Sequence, residues 1–338
     1  VADHEYLMLL RVTLRQLQIF QAVAHARSFV RAGELLHLSQ PGVSMQIRQL
    51  EEAVGLPLLD RIGRRVVLTE AGQRFLDHAA RILGEVQDAA ADLDGLKGLQ
   101  RGRVVIGMVS TAKYFLPRLL ARFTAAHPEL DLRIYSGNRD ELIGTLGRNE
   151  IDLAVMGRPP ARLELESELF APHPFVVIAP GGHRLAAAPS LDLFDLRDDT
   201  VLLRERGSGT RLLMDDWFRK ALFAPRRQIE MGGNETVKQG VLAGLGVSIL
   251  SRHTLTLELA HGAIAILPVD GTPVMRGWYV AHRAGKRLSP AALALRRFVL
   301  EEGGGFLGEA FGAGPADAAT ARQGARPRRS SVGQSTER

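Results

Sequence analysis

The chain of 338 residues contains no cysteine. That excludes structural disulfides, a thiol nucleophile and any zinc site built on cysteine. No apolar run approaches the roughly 20 residues of a membrane-spanning helix. The patch Leu7-Met8-Leu9-Leu10 is shorter than a signal-peptide core and follows acidic residues, so a cytoplasmic, nucleoid-associated location is expected. Charge of one sign is not in large excess either. A formal net charge of +6 is too weak a field to hold nucleic acid by itself, so any such binding must come from a local patch. The common catalytic signatures are missing as well. Ser208 lies in Gly207-Ser208-Gly209, but Arg206 stands where a nucleophile elbow needs its first glycine. Gly244-Leu245-Gly246-Val247 lacks the third glycine of a dinucleotide fingerprint and precedes a strand pattern. No histidine pair has zinc-ligand spacing on one helix. Neither an enzyme nor a metal site is expected. With 46% hydrophobic residues, the chain has enough apolar material for two or three domains.

The most informative segment present is Ser39-Gln40-Pro41-Gly42-Val43-Ser44-Met45-Gln46-Ile47-Arg48-Gln49-Leu50-Glu51. Ser39 is suited to accept an amide proton of the first turn, and Pro41 falls where a missing N–H does no harm. Val43, Ile47 and Leu50 form one inward stripe at helical spacing. Gln40, Ser44, Gln46, Arg48 and Gln49 occupy the other face, and Gln and Arg are the residue types that pair with base edges in a major groove. Before this helix, Leu14–Ala26 and Phe29–Leu36, the latter capped by Ser28, complete a helix-turn-helix. Arg31 on the second helix joins the expected DNA-contacting set. After it, Asp60–Thr69 reads as a hairpin with Gly63 at its tip. Arg61, Arg64 and Arg65 there make a wing suited to a minor groove or to phosphates.

Between the wing and the rest of the chain, Phe75, Ala79, Ile82, Val86, Ala89, Leu93 and Leu96 repeat at alternating spacings of four and three. This is an a/d seam, expected to pair with its copy in a second subunit. Two recognition helices then imply an operator of two-fold symmetry. Gly95, Gly98 and Gly102 mark a hinge.

From Arg103 onward, strand and helix patterns alternate, which implies parallel sheets. Strands are expected at Val104–Met108, Leu130–Tyr135, Ile151–Met156, Thr200–Arg204, Gln228–Met231, Val247–Leu250 and Trp278–Ala281. Helices are expected at Tyr114–Ala126, Asp140–Arg148, Gly209–Leu222, Glu235–Ala243 and Pro290–Leu300. The fold class is therefore multidomain: a winged helix-turn-helix over 13–72, a linker helix and hinge over 73–102, and an α/β two-lobed domain over 103–302. Lobe I takes about 103–175 and 276–302, and lobe II about 176–275. Crossing strands are expected near Phe175–Ile178 and Met275–Tyr279. Residues 303–338, rich in Gly, Ala, Ser, Arg and Pro, read as a disordered tail.

In open α/β sheets ligands sit beyond the carboxyl ends of strands, near helix N-termini. That rule selects Ser110, Thr111, Lys113, Asn138 and Arg158 in the first lobe. In the second it selects Arg204, Ser208, Thr210, Arg211, Asn234 and Lys238. The glycine-rich turn Gly207-Ser208-Gly209 offers amides and hydroxyls to a phosphate or carboxylate. The cations among these residues favour an anionic ligand.

Residues 13–72 resemble the winged helix-turn-helix of LysR-type transcriptional regulators. The resemblance rests on Ser39-Gln40-Pro41-x-Val43-Ser44-x-Gln46-Ile47-x-x-Leu50-Glu51, Gly55-x-Pro57-Leu58, Arg61 and Leu68-Thr69-Glu70-Ala71-Gly72. Gly42 stands where that family usually has Ala, and Leu59 where it usually has Phe. The glycine costs about 1 kcal/mol of helix propensity. The two α/β lobes resemble the family's periplasmic-binding-protein-like effector domain. Ser110–Pro117, Gly137-Asn138-Arg139, Met156–Pro160, Arg204–Arg211, Gly233–Gln239 and Lys286–Ala292 resemble the regulators of Calvin–Benson carbon-fixation (RuBisCO) operons. The resemblance implies DNA contacts by Ser39, Gln40, Pro41, Val43, Ser44, Gln46 and Arg48 with the wing arginines. An interrupted palindromic site, a dimer or tetramer, and RNA polymerase as a further partner are expected, with activation and repression both left open by the sequence. The effectors the resemblance implies are ribulose bisphosphate, phosphoenolpyruvate or NADPH, with no tightly bound cofactor. A regulator of amino-acid or aromatic catabolism is the alternative within the family. A small-molecule-binding protein or transferase whose winged segment only dimerises is the alternative outside it; the polar helix face and Arg-rich wing argue against that.

Overall fold

The computed structural model describes residues 11–62, 65–95, 102–160 and 164–312. Arg64 of the wing, Leu96 of the seam, Gly98 of the hinge and residues 313–338 of the expected tail lie outside them.

The N-terminal unit consists of α1 (Leu14–Ala26), α2 (Phe29–Leu36), α3 (Gln40–Val54), the hairpin β1 (Leu59–Ile62) and β2 (Arg65–Leu68), and the start of α4 (Glu70–Gly95). Thr13 closes a capping box with Gln16 at the start of α1, and Ser28 accepts the Arg31 amide to start α2. Between α2 and α3 the chain turns tightly. A Cβ on Gly33 would lie 2.6 Å from the Leu38 carbonyl oxygen, so only glycine permits this approach. Leu17, Phe20, Val23, Val43, Ile47 and Leu50 share one core with Leu76, Ala79 and Leu83 of α4.

Three side chains depart from what their sequence positions suggest. Val43 is fully buried and supports the helix from behind instead of touching DNA. Phe75 and Ala79, expected in a subunit seam, belong to this core. The Phe75 ring meets Phe20 edge-on at 5.6 Å. Beyond them Ile82, Val86, Ala89 and Leu93 stay exposed.

Among the described residues of the larger unit, nine strands make one sheet in the order β4-β3-β5-β11-β6-β9-β7-β8, with β10 also on β6. Here β3 is Gly102–Val109, β4 Leu130–Gly137, β5 Leu153–Met156, β6 Leu165–Pro180 and β7 Thr200–Arg204. The remainder are β8 (Arg227–Met231), β9 (Val247–Ser251), β10 (Ile264–Leu267) and β11 (Val274–Arg283). β3 pairs in parallel with β4 and β5, and β7 with β8 and β9. The long antiparallel pair β6/β11 joins these two groups. One end of β6 lies in the first lobe, and its other end pairs with β9 and β10 in the second. The chain therefore crosses between lobes within one strand, near Phe175.

The helices are α5 (Leu116–Ala126), α6 (Arg139–Gly147), α7 (Gly209–Lys220), α8 (Asn234–Leu242), α9 (Thr256–Ala260) and α10 (Pro290–Phe311). Ser110 and Thr111 open a 3-10 turn, Ser110–Tyr114, and do not cap the α-helix that follows. The final helix is also longer than its pattern suggests. It runs to Phe311, with Phe306 and Leu307 buried, so the expected tail from 303 does not begin there. Packing of those two side chains holds a run of three glycines in helical form. The linker helix leans on the first lobe, where Glu85 lies 3.7 Å from Arg283. Among the described residues no helix is long and apolar enough to cross a membrane.

Candidate DNA interface and ligand cleft

The apolar stripe of α3 faces inward, so its other side is free. Ser39, Gln40, Pro41 and Arg48 are exposed, as is Arg31 on α2, while Ser44 and Gln46 are half-buried. Ser39 caps the helix by accepting the Gly42 amide at 3.3 Å. Gln40 donates to the Ser44 hydroxyl at 2.9 Å, which orders the polar ridge before any contact forms. Glu51 ties the helix to the wing: one carboxylate oxygen accepts the amides of Leu58 and Leu59 at 2.8 and 3.0 Å. Arg65 is exposed on β2.

The second feature is a cleft of about 320 Å³ between the lobes. Of the expected ligand residues, Ser110, Thr111, Asn138, Arg158, Arg204, Ser208 and Thr210 line it. Two chain reversals meet there. The 3-10 turn begins at Ser110 and α7 begins after Ser208, and neither start has a side-chain cap. Amides of an uncapped first helical turn are free to bind an anion. Asn138 lines the wall, but its oxygen already accepts the Glu141 amide at 2.9 Å to cap α6.

The expected cations behave differently from one another. Arg204 is buried: Nε and Nη2 donate to the Glu205 carboxylate at 2.7 Å, Nη2 also reaches the Ser110 hydroxyl, and Nη1 donates to Asn234. Its charge is thus neutralised, and it joins the second lobe to the first. Arg211 is turned away from the cleft onto Asp215, at 2.9 Å, and Glu230, at 2.7 Å. Lys238 is buried against Glu258 at 2.6 Å and Glu235 at 3.0 Å. Burial pulls its ammonium pKa down, but the two carboxylates outweigh burial and hold it above the usual lysine value. Its Nζ sits 4.8 Å from the Tyr114 ring centroid, and Tyr114 donates to Glu235 at 3.0 Å, a latch between lobes outside the cleft. Asn234 lies behind Arg204, and Lys113 is exposed to solvent away from the cleft. Lys113, Arg211, Asn234 and Lys238 therefore do not line it. A lysine or arginine near a strand end gives no sequence sign of a carboxylate arriving from elsewhere in the fold.

In their place the cleft contains Arg139, Arg276, Asp216, His173 and Phe175. Arg139 is the first residue of α6, beside Asp140 at 3.2 Å. Arg276 on β11 lies 3.6 Å from Asp216 of α7. His173 on β6 is the cross-strand partner of Arg276 and stacks on Trp278 with ring centroids 3.8 Å apart. Arg139 carried a signal, because it follows Asn138 at a strand end. His173 and Arg276 carried none, since strand pairing alone brings them together. The cleft can hold a small anion between two free helical starts, with arginines at its mouth.

Residues 14–73 match the family described as bacterial regulatory helix-turn-helix protein, lysR family, and residues 97–304 match the LysR substrate binding domain. The chain is similar to the HTH-type transcriptional regulator CfxR of Cupriavidus necator, 54% identical over 89% of this chain and 95% of that one. It is also similar to a RuBisCO operon transcriptional regulator of Allochromatium vinosum, 46% identical over 87% and 97% of the two chains. Among solved structures it is similar to the Synechocystis CcmR regulatory domain in complex with 2-PG. That match has 36% identity and a TM-score of 0.57, and covers 59% of this chain and 96% of that one. These relatives are regulators and not enzymes. With the winged reader at one end and the two-lobed cleft at the other, this chain belongs to the LysR family of bacterial transcriptional regulators.

Proposed function

We propose that this protein binds an interrupted palindromic promoter site as a dimer or tetramer and controls carbon-fixation genes in response to an anionic, phosphorylated metabolite. The cleft carries the reading. Ser110, Thr111, Ser208 and Thr210 line it from two lobes at the uncapped starts of the 3-10 turn and α7, and Arg139, Arg158 and Arg276 line it too. The 2-PG bound to the related CcmR domain supports a ligand of that chemistry, and the relatives that regulate the RuBisCO operon support the target. Gln40, Ser44, Gln46 and Arg48 read bases, while Arg31, Arg61, Arg64 and Arg65 hold the backbone. The exposed face Ile82, Val86, Ala89 and Leu93 pairs two chains. The protein acts in the cytoplasm, at the nucleoid. A ligand shifts the regulator by binding one arrangement of the lobes better than another.

The test has two arms. Thermal shift with 2-phosphoglycolate, ribulose bisphosphate, phosphoenolpyruvate and NADPH should show stabilisation by at least one, at 100 Kd about 2.7 kcal/mol. Stabilisation by an aromatic acid alone would overturn the carbon-fixation reading. Footprinting on the region upstream of a carbon-fixation operon should protect two symmetry-related half-sites; a single asymmetric site would count against paired readers.

A further inference from the structure

One side chain lining the cleft packs its ring on Trp278 but leaves its polar atoms without a partner among the described residues. His173 is 3% exposed, and neither ring nitrogen has a hydrogen-bonding partner among the described residues. A buried polar atom left unpaired is costly, and native structures keep one where a role requires it. Packing alone would be met by an apolar ring. The imidazole instead lines the same cleft as the uncapped start of α7.

Its surroundings decide its charge. Arg276 faces it from β11, with Arg204, already paired to Glu205, from the end of β7. Arg139 and Arg158 come from the first-lobe side of the cleft, and Asp216 comes from α7. The turn after β9 supplies His253, whose ring lies parallel to His173 at 5.9 Å. Trp278 donates its indole N–H to His253 Nδ1 at 3.1 Å, which keeps His253 an acceptor. Phe311 at the end of α10 covers His253 at 4.7 Å. Arg139, Arg204 and Arg276 each have a carboxylate beside them, on Asp140, Glu205 and Asp216, and burial, with His253 adding to it, pushes the His173 pKa well below the ordinary imidazole value. An anion in the cleft reverses that balance, since an opposite charge within a few ångströms favours the charged form. The stacked Trp278 face also favours a cation above it.

We propose that His173 is the specificity-determining partner of the anionic ligand: its ring takes one proton from solvent as the anion enters and donates it in a hydrogen bond to the anion. No bond other than that to the proton forms or breaks. The proposal rests on the cleft being the effector site. Its consequence follows from linkage. Burial holds the free His173 pKa down and the anion raises it, so the ring gains a proton on binding and affinity rises as pH falls from the bound pKa towards the free one. Ligands with a neutral group at this position lose the interaction.

Titration calorimetry with 2-phosphoglycolate from about pH 5.5 to 8, on the full chain and on His173→Gln, separates this effect from ionisation of the phosphate, which is common to both. The parent should bind more steeply with falling pH than the variant, by up to about tenfold per pH unit, the limit for one linked proton. Nitrogen-15 spectra of the parent's imidazoles should show one ring becoming doubly protonated when 2-phosphoglycolate is added. This reading holds even if the variant fails to fold. Parallel pH profiles with unchanged imidazole signals would overturn the role of His173 and leave the effector site standing. No binding of 2-phosphoglycolate, ribulose bisphosphate, phosphoenolpyruvate or NADPH by parent protein at any pH would remove the effector reading and this proposal with it.

Discussion

The exposed face of α4 makes the sharpest prediction. Ile82, Val86 and Leu93 remain 47%, 46% and 63% exposed in the single chain, although they continue the spacing that buries Phe75 and Ala79 upstream. Fully burying such a side chain stabilises by about 1.5–3 kcal/mol. With about half of each still accessible, pairing contributes about 1 kcal/mol per residue. Ile82→Ala with Leu93→Ala alters four side chains per dimer, so association should weaken by about 3–4 kcal/mol, or about 10²–10³ in Kd. Neither residue lies in the buried core of its own chain, so the unfolding temperature of the monomer should hardly move. Sedimentation over a dilution series measures the first quantity and calorimetry the second. An unchanged dissociation constant would refute the seam. So would a melting temperature that falls even at dilutions where the parent too is monomeric, because the residues would then be supporting the monomer fold.

Three further outcomes are expected. Arg48→Ala should weaken operator binding by about 1–3 kcal/mol and reduce the preference for operator over random DNA; gel-shift competition reads both, and an intact preference would remove Arg48 from the reading set. Burial opposes ionisation of Glu205, but Arg204 and the Gly233 amide outweigh it and hold its carboxyl below the usual glutamate value. Its contribution to stability is therefore full above that value and is lost as pH falls through the lowered one, so thermal melts of Glu205→Gln should depend less on acid than those of the parent. A Cβ on Gly308 meets open space, whereas one on Gly303 would lie 2.7 Å from Phe170. Gly308→Ala should accordingly gain about 1 kcal/mol of helix propensity and raise Tm by about 2–4 °C, while Gly303→Ala should lower it.

Local pattern made much of the fold legible. Thr200–Arg204 is a strand as its apolar run suggests, and α3 begins at Gln40 because Ser39 and Pro41 start a helix whatever lies around them. Elements that depend on packing were harder to see. Pro172 and Pro174 disguise the first half of β6, since proline seldom sits inside a sheet; the strand forms because β11 pairs along it, with a register shift at Trp278/Tyr279. Gly303, Gly304 and Gly305 read as a loop because each costs about 1 kcal/mol in a helix. The burial of Phe306 and Leu307 overrides that preference.

What the sequence by itself determined is the reading end of the molecule. The stripe Val43, Ile47 and Leu50 sets which face of α3 is buried, and helical geometry then places Gln40 and Arg48 outside. Only the tertiary structure decided the sensing end. Whether Arg204, Arg211 and Lys238 are free depends on Glu205, Glu230 and Glu258, and for the last two pairs the carboxylate arrives from another element. His173 meets Arg276 through strand pairing alone. A helix face follows from spacing along the chain, whereas the net charge of a cleft follows from which distant groups the fold brings within a few ångströms.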